Sequence, residues 1–106
     1  MDIDGPWCFY QNGNNDLRTV IDGLRPFESM TWSEIEGKRN HAISCDSIIR
    51  EAQRRLEDIG QDDLDELFSI RLTGRQRIWG IRDGTIFRLL WWDRQHAICP
   101  SPKKHT

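Results

Sequence analysis

Two runs rich in β-branched and aromatic residues, Arg77-Ile-Trp-Gly-Ile-Arg82 and Thr85-Ile-Phe-Arg-Leu-Leu-Trp-Trp92, are separated only by Asp83-Gly84. No other feature of this sequence constrains the fold so tightly. Asp-Gly between two such runs predicts a two-residue hairpin, because a type I′ turn needs positive φ at both central positions. A two-residue loop also predicts the register: Arg82 opposite Thr85, Ile81 opposite Ile86, Gly80 opposite Phe87, Trp79 opposite Arg88 and Arg77 opposite Leu90. Side chains alternate between the faces of a strand. Ile78, Arg82, Phe87, Leu89 and Trp91 therefore share one face, the expected core. Arg77, Trp79, Ile81, Ile86, Arg88, Leu90 and Trp92 share the other, where cations stand beside indoles.

Upstream the period is helical. Asn14, Asn15 or Asp16 can cap a helix with Leu17, Val20, Ile21 and Leu24 on one face, ended by Pro26. Thr31-Trp-Ser-Glu34 is a capping box that opens a short helix closed by Gly37. Residues 38–44 read as a loop. The clearest helix spans 46–59, with Ile49, Ala52, Leu56 and Ile59 inward, Arg50, Glu51, Arg54, Arg55 and Glu57 outward, and Gly60 at C′. Residues 62–67 read as a further helical turn, 68–72 as a strand, and His96-Ala-Ile-Cys99 as a last strand before Pro100. Helices followed by strands predict an α+β fold, N-terminal helices packed on a C-terminal antiparallel sheet of three to four strands. A chain of 106 residues has the size of one domain. Within it, residues 1–40 form an N-terminal extension with short helices and residues 46–106 a helix-plus-sheet unit.

With 37% apolar residues and no apolar run near the roughly 20 residues of a membrane span, a membrane protein is not expected. The start, Met1-Asp-Ile-Asp, has no basic stretch followed by an apolar one, so a cytoplasmic protein is expected. Five Trp and four Phe argue against disorder. Cys8, Cys45 and Cys99 are odd in number and far apart, which does not suggest a disulfide scaffold. Charge is segregated: residues 1–67 carry seven Lys and Arg against fifteen Asp and Glu, and residues 68–106 carry eight against two. Such asymmetry points to an anionic partner for the basic half. The competing explanation is that the halves neutralise each other on folding.

Guanidinium groups bind phosphates bidentately and indoles offer planes for unpaired bases. Arg75, Arg77, Trp79, Arg94 and Lys103 are therefore candidate RNA-binding residues. The alternative is that Trp79 and Trp92 pack beneath a helix while Arg77 and Arg88 snorkel past them. His41-x₃-Cys45 and His96-x₂-Cys99 are two His/Cys pairs from which a tetrahedral zinc site can be imagined. Neither has the spacing of an established zinc motif, so no metal is assigned. No Gly-rich phosphate loop or other cofactor motif is present, and no cofactor is expected.

Leu72-Thr-Gly74, Ile78-Trp-Gly-Ile-Arg82-Asp-Gly and Phe87-Arg-Leu-Leu-Trp91, followed by the terminal Lys103-Lys104-His-Thr, resemble the RelE/ParE superfamily of bacterial toxins over roughly residues 46–106. The terminal cluster is similar to that of the HigB-like branch. The resemblance implies an α+β fold, a place in a toxin-antitoxin or mobile-element system, and a cognate antitoxin or other protein partner. It further implies cleavage of mRNA, often ribosome-bound, or for the ParE branch binding to DNA gyrase. By correspondence Arg82 and Arg88 match the family's hairpin arginines, and Lys103, Lys104 and His105 its terminal cluster.

A nuclease of this kind attacks the phosphate with the neighbouring ribose 2′-OH. That requires a base, an acid, and cations for the charge of the pentavalent state. His96 and His105 suit either proton role, and Arg82, Arg88 and Lys104 the electrostatic one. The expected catalytic set is thus Arg82, Arg88, His96, Lys104 and His105. The other reading is a non-enzymatic interaction module on the same fold, of phage or mobile-element type or gyrase-binding, since Trp and Arg are also enriched at protein hot spots.

Overall fold

The computed structural model describes residues 1–37 and 39–100. It holds three α-helices, α1 (Asn14–Leu24), α2 (Trp32–Ile35) and α3 (Arg50–Asp58). Four strands, β1 (His41–Ser44), β2 (Glu66–Arg71), β3 (Arg77–Asp83) and β4 (Ile86–Asp93), form one antiparallel sheet in the order β1-β2-β3-β4. The fold is α+β, with helices packed on an antiparallel sheet.

The capping box at Thr31 forms in both halves. The Thr31 Oγ1 accepts from Glu34 N at 3.3 Å, and Thr31 N donates to the Glu34 carboxylate at 2.8 Å. Helix α3 buries Ala52 and Leu56 and ends at Gly60 with φ +74°. There Gln61 N bonds Leu56 O and Gly60 N bonds Glu57 O, the paired bonds of a Schellman motif. The helix starts four residues later than the pattern predicts. Ser44 caps only a 3-10 turn, Cys45–Ser47. Ile48 is then extended and buried, and Ile49 N donates to Ile98 O at 2.8 Å.

Other local expectations also give way to pairing across the sheet. Residues 41–44, read as loop, are the edge strand β1, formed because His41 to Ser44 pair with Ser69 to Glu66. The acidic stretch 62–67 does not make a helical turn. Glu66 and Leu67 already belong to β2, and Leu67 is buried beneath α3. His96 to Cys99 is not a strand but a turn, for a reason that also shapes the site below.

The β3–β4 hairpin forms one residue later than predicted. Asp83 pairs with Ile86 and Arg82 with Phe87, so the loop is Gly84-Thr85. Gly84 alone has positive φ, +61°, the requirement of a type II′ turn, whose glycine stands first. A bulge between Trp79 and Gly80 then shifts the register, pairing Gly80 with Leu89 but Trp79 with Trp91. Beyond an extra residue, a strand presents its side chains to the opposite face. Leu90 and Trp91 consequently both lie in the core under α3, with Trp7, Leu56 and Trp79. Trp92 passes to the other face, with Phe9, Val20 and Ile78 beneath α1. Both faces of the sheet carry a core.

The N-terminal segment completes the layer. Asp2 N bonds Leu90 O and Trp92 N bonds Trp7 O, which covers the outer edge of β4 and limits stray strand pairing. The Asp2 carboxylate, 5% exposed, accepts from Arg55 Nη2 at 2.7 Å, Arg55 Nε at 2.8 Å and the Trp91 indole at 2.9 Å. The Arg55 fork is the main reason that its pKa lies below the usual carboxylate value.

Candidate functional site

At the end of the sheet remote from the β3–β4 hairpin, a cleft opens beside the α3-side core. Cross-strand register puts His41, Ser69 and Trp79 in one row and Arg71 and Arg77 in the next. Arg71 and Arg77 are directly opposed on neighbouring strands. Such pairs stand about 5 Å apart at Cβ, and like charges there are destabilising. With Arg39 ahead of β1, and His96, Cys99 and Pro100 after β4, these residues line a cleft of about 270 Å³.

Its side chains are mostly cationic, with the buried Asp93 carboxylate, cross-strand partner of Arg77, as an acid whose charge reaches both Arg77 and His96. Among the described residues Arg39, Arg71, Arg75 and Arg77 have no carboxylate within ion-pair distance, whereas Arg82, Arg88 and Arg94 each have one. Burial, and after it the Arg71 guanidinium, hold Arg77 below the ordinary arginine pKa. Its Nη1 is fixed by Gly74 O at 2.8 Å and Gln76 O at 3.1 Å. Opposed, partly desolvated cations are costly until an anion joins them.

His96 is held by a turn that the sequence pattern does not reveal. Asp93, 1% exposed, receives Ala97 N on Oδ1 at 2.8 Å. Its Oδ2 accepts from Ile98 N at 2.9 Å and from the Trp79 indole at 3.3 Å. These bonds take the amides that a strand would have used. His96 sits at φ +55°, the sole non-glycine with positive φ among the described residues. That conformation costs roughly 1–2 kcal/mol for an L-residue, and strain of this kind concentrates at functional sites. Burial first, then the charge of Arg77, lowers the His96 pKa below its ordinary value. The imidazole is therefore neutral near neutral pH and able to accept a proton.

The candidate residues divide accordingly. His96 and Arg77 line the cleft, and the charge of Arg75, in the β2–β3 turn, reaches His96. Arg82 does not belong to it. Five residues along β3 from Arg77, about 17 Å at the rise of a strand, it bonds Glu36 at 2.8 Å and stacks over Trp32 at 4.5 Å. Arg88 is beside Asp83 at 3.8 Å near the same hairpin, and Arg94 is beside Asp16 at 3.9 Å. Trp79 offers no plane for stacking: it is 1% exposed and packed under α3, as the snorkelling alternative holds. Lys103, Lys104 and His105 lie outside the described residues.

Arg39, His41, Arg71 and Asp93 complete the site. Arg71 was legible in principle, since a short β2–β3 turn must set it against Arg77. His41 was visible only as half of a His/Cys pair. Among the described residues no group of three or more His, Cys, Asp or Glu is arranged to hold a metal. Burial pushes the Cys45 and Cys99 thiols up, the opposite of an activated nucleophile.

Fold and cleft together describe an α+β protein with a histidine-flanked, arginine-lined cleft, and among the described residues no helix is long and apolar enough to cross a membrane. Comparison with protein-family models, with curated proteins and with solved structures finds no match.

Proposed function

We propose that this cleft binds a phosphodiester of RNA and cleaves it, as the resemblance to RelE-like toxins also suggests, with the working residues at the Arg71/Arg77 end rather than at the hairpin. The observation that carries the reading is the Arg71–Arg77 cross-strand pair, neither member within ion-pair distance of a carboxylate, on a cleft that His41 and His96 also line. His96, neutral through burial and the charge of Arg77, takes the 2′-OH proton. The 2′-oxygen then attacks phosphorus, Arg71 and Arg77 stabilise the pentavalent charge, and His41 protonates the departing 5′-oxygen. The products are a 2′,3′-cyclic phosphate and a 5′-hydroxyl. Positioned cations and a general acid–base pair each contribute on the order of 10² or more to rate. Arg39 extends the cationic wall, and in a toxin-antitoxin setting the substrate would be mRNA.

The test is cleavage of a defined oligoribonucleotide. The wild-type protein is expected to leave cyclic-phosphate ends on RNA and to spare 2′-O-methyl RNA. His96→Ala and the Arg71→Gln, Arg77→Gln pair should each lose at least about a hundredfold in rate. Binding should weaken with salt at a log–log slope of about 0.7 per phosphate contact, and the paired variant should lose about two such contacts. Cleavage that survives in the paired variant overturns the assignment.

One observation favours the second reading, a protein-interaction module. An apolar groove of about 630 Å³ runs between α2 and the sheet, lined by Phe27, Met30, Trp32, Phe87 and Leu89. Binding of a protein partner there would depend little on salt and would be indifferent to Arg71→Gln.

A further inference from the structure

Arg39 and Arg71 are shared walls. On one side they face the cationic cleft. On the other they line a second cavity of about 440 Å³, whose apolar surface comes from Pro26, Phe27 and Leu72. The partition between the two is tied by hydrogen bonds. Asn40, beside Arg39, accepts from Arg71 N at 2.8 Å through Oδ1 and donates to Ile35 O at 3.1 Å through Nδ2.

We infer that this shelf receives the base of the nucleotide whose phosphate lies between Arg39, Arg71 and Arg77. The inference rests on the phosphodiester reading above and extends it to a subsite. A flat apolar surface that begins where unpaired guanidiniums end matches a nucleotide, which is itself a flat apolar base joined to an anion. Phe27 is half-buried at the shelf and provides an aromatic side chain of the kind on which bases stack whatever their edge pattern. The Asn40 amide is held in the partition by one bond at each polar atom, and the side chains of Pro26, Phe27 and Leu72 have no polar atom with which to read a base edge. The subsite therefore holds a base by stacking with little discrimination of sequence, and purines are held better than pyrimidines because they cover more apolar surface.

The experiment uses non-cleavable probes with the full chain: the deoxydinucleotide d(ApA), its pyrimidine counterpart d(TpT), and dimethyl phosphate as a diester without bases, each titrated by NMR. Wild type should bind d(ApA) about tenfold more tightly than dimethyl phosphate and more tightly than d(TpT). Phe27→Leu removes the ring while keeping an apolar side chain, and Thr73→Gln crowds the shelf from its exposed rim without adding a ring. Each should abolish most of the d(ApA) advantage and leave dimethyl phosphate binding unchanged. If Phe27→Leu also weakens dimethyl phosphate, its effect is on the fold and Thr73→Gln alone decides. Equal affinity for d(ApA) and dimethyl phosphate, or an advantage that survives Thr73→Gln, overturns the subsite and leaves the cleft reading standing. Failure of dimethyl phosphate to bind, or binding that Arg71→Gln does not weaken, overturns both.

Discussion

Replacing Asp93 with Asn tests whether the His96 turn is held as described. The carboxylate serves three donors: Ala97 N on one oxygen, and Ile98 N with the Trp79 indole on the other. Asn offers a single acceptor oxygen. In its better orientation it keeps Ile98 and Trp79 and turns an NH₂ group against Ala97 N–H. One half-buried donor is then unsatisfied, at about 1 kcal/mol, the low end of the range for a buried group. The two surviving bonds lose their charge assistance, which roughly halves their strength. At 1% exposure water does not compensate. The sum is about 2–4 kcal/mol, or roughly 8–32 °C in Tm at the 4–8 °C per kcal/mol of a domain this size. Tryptophan fluorescence during urea and thermal unfolding measures it. Because the turn carries His96, cleavage should fall further than stability at a temperature where the variant is fully folded. A loss below about 0.5 kcal/mol with an unchanged m-value would refute the reasoning.

The remaining expectations are more local. Asp2→Ala strands the buried Trp91 indole N–H, about 1–3 kcal/mol by itself, and frees the N-terminal segment. Amide exchange at Trp92, whose N–H is bonded to Trp7 O, should accelerate, and protection equal to wild type would contradict the anchoring role. Since burial and Arg77 lower the His96 pKa, the unfolded chain binds that proton at higher pH than the folded one. Its share of stability is thus complete above the ordinary imidazole range and declines as pH falls through it. Arg77→Gln should move the NMR titration of His96 upward, and the acid limb of cleavage with it; a downward move would reverse the assigned cause. Gly80→Ala sets a methyl 2.5 Å from the Phe87 ring and 2.6 Å from Arg88 O. It should cost about 1–3 kcal/mol by overpacking, read as a lower urea midpoint, and an unaltered midpoint would mean that the bulge has room.

How far the sequence could be read depended on the range of the interactions involved. The Thr31 capping box, the Gly60 helix stop and the existence of the β3–β4 hairpin are specified by residues within a few positions of one another, and all three form as read. Errors begin where a distant partner intervenes. His41 to Ser44 has no strand pattern of its own and becomes β1 only against β2. Ile48 and Ile49 leave the helical pattern to dock on the C-terminal segment. The bulge at Trp79 and Gly80 exchanges the faces of Trp91 and Trp92, so an indole expected on an open surface is core. In the candidate site, His96, Arg75 and Arg77 were legible by residue type. Their separation from Arg82 and Arg88 was not, because both hairpin arginines find acids elsewhere, Glu36 and Asp83, that sequence spacing does not pair with certainty.

The sequence by itself determined the class of fold and a basic C-terminal half, because hydrophobic period, caps and turn glycines act over a few residues. Tertiary structure alone decided which cations are left without acids, which indoles are covered and which histidines share a cleft. Those outcomes follow from strand register and from buried carboxylates such as Asp93, and they depend on the fold bringing remote side chains together.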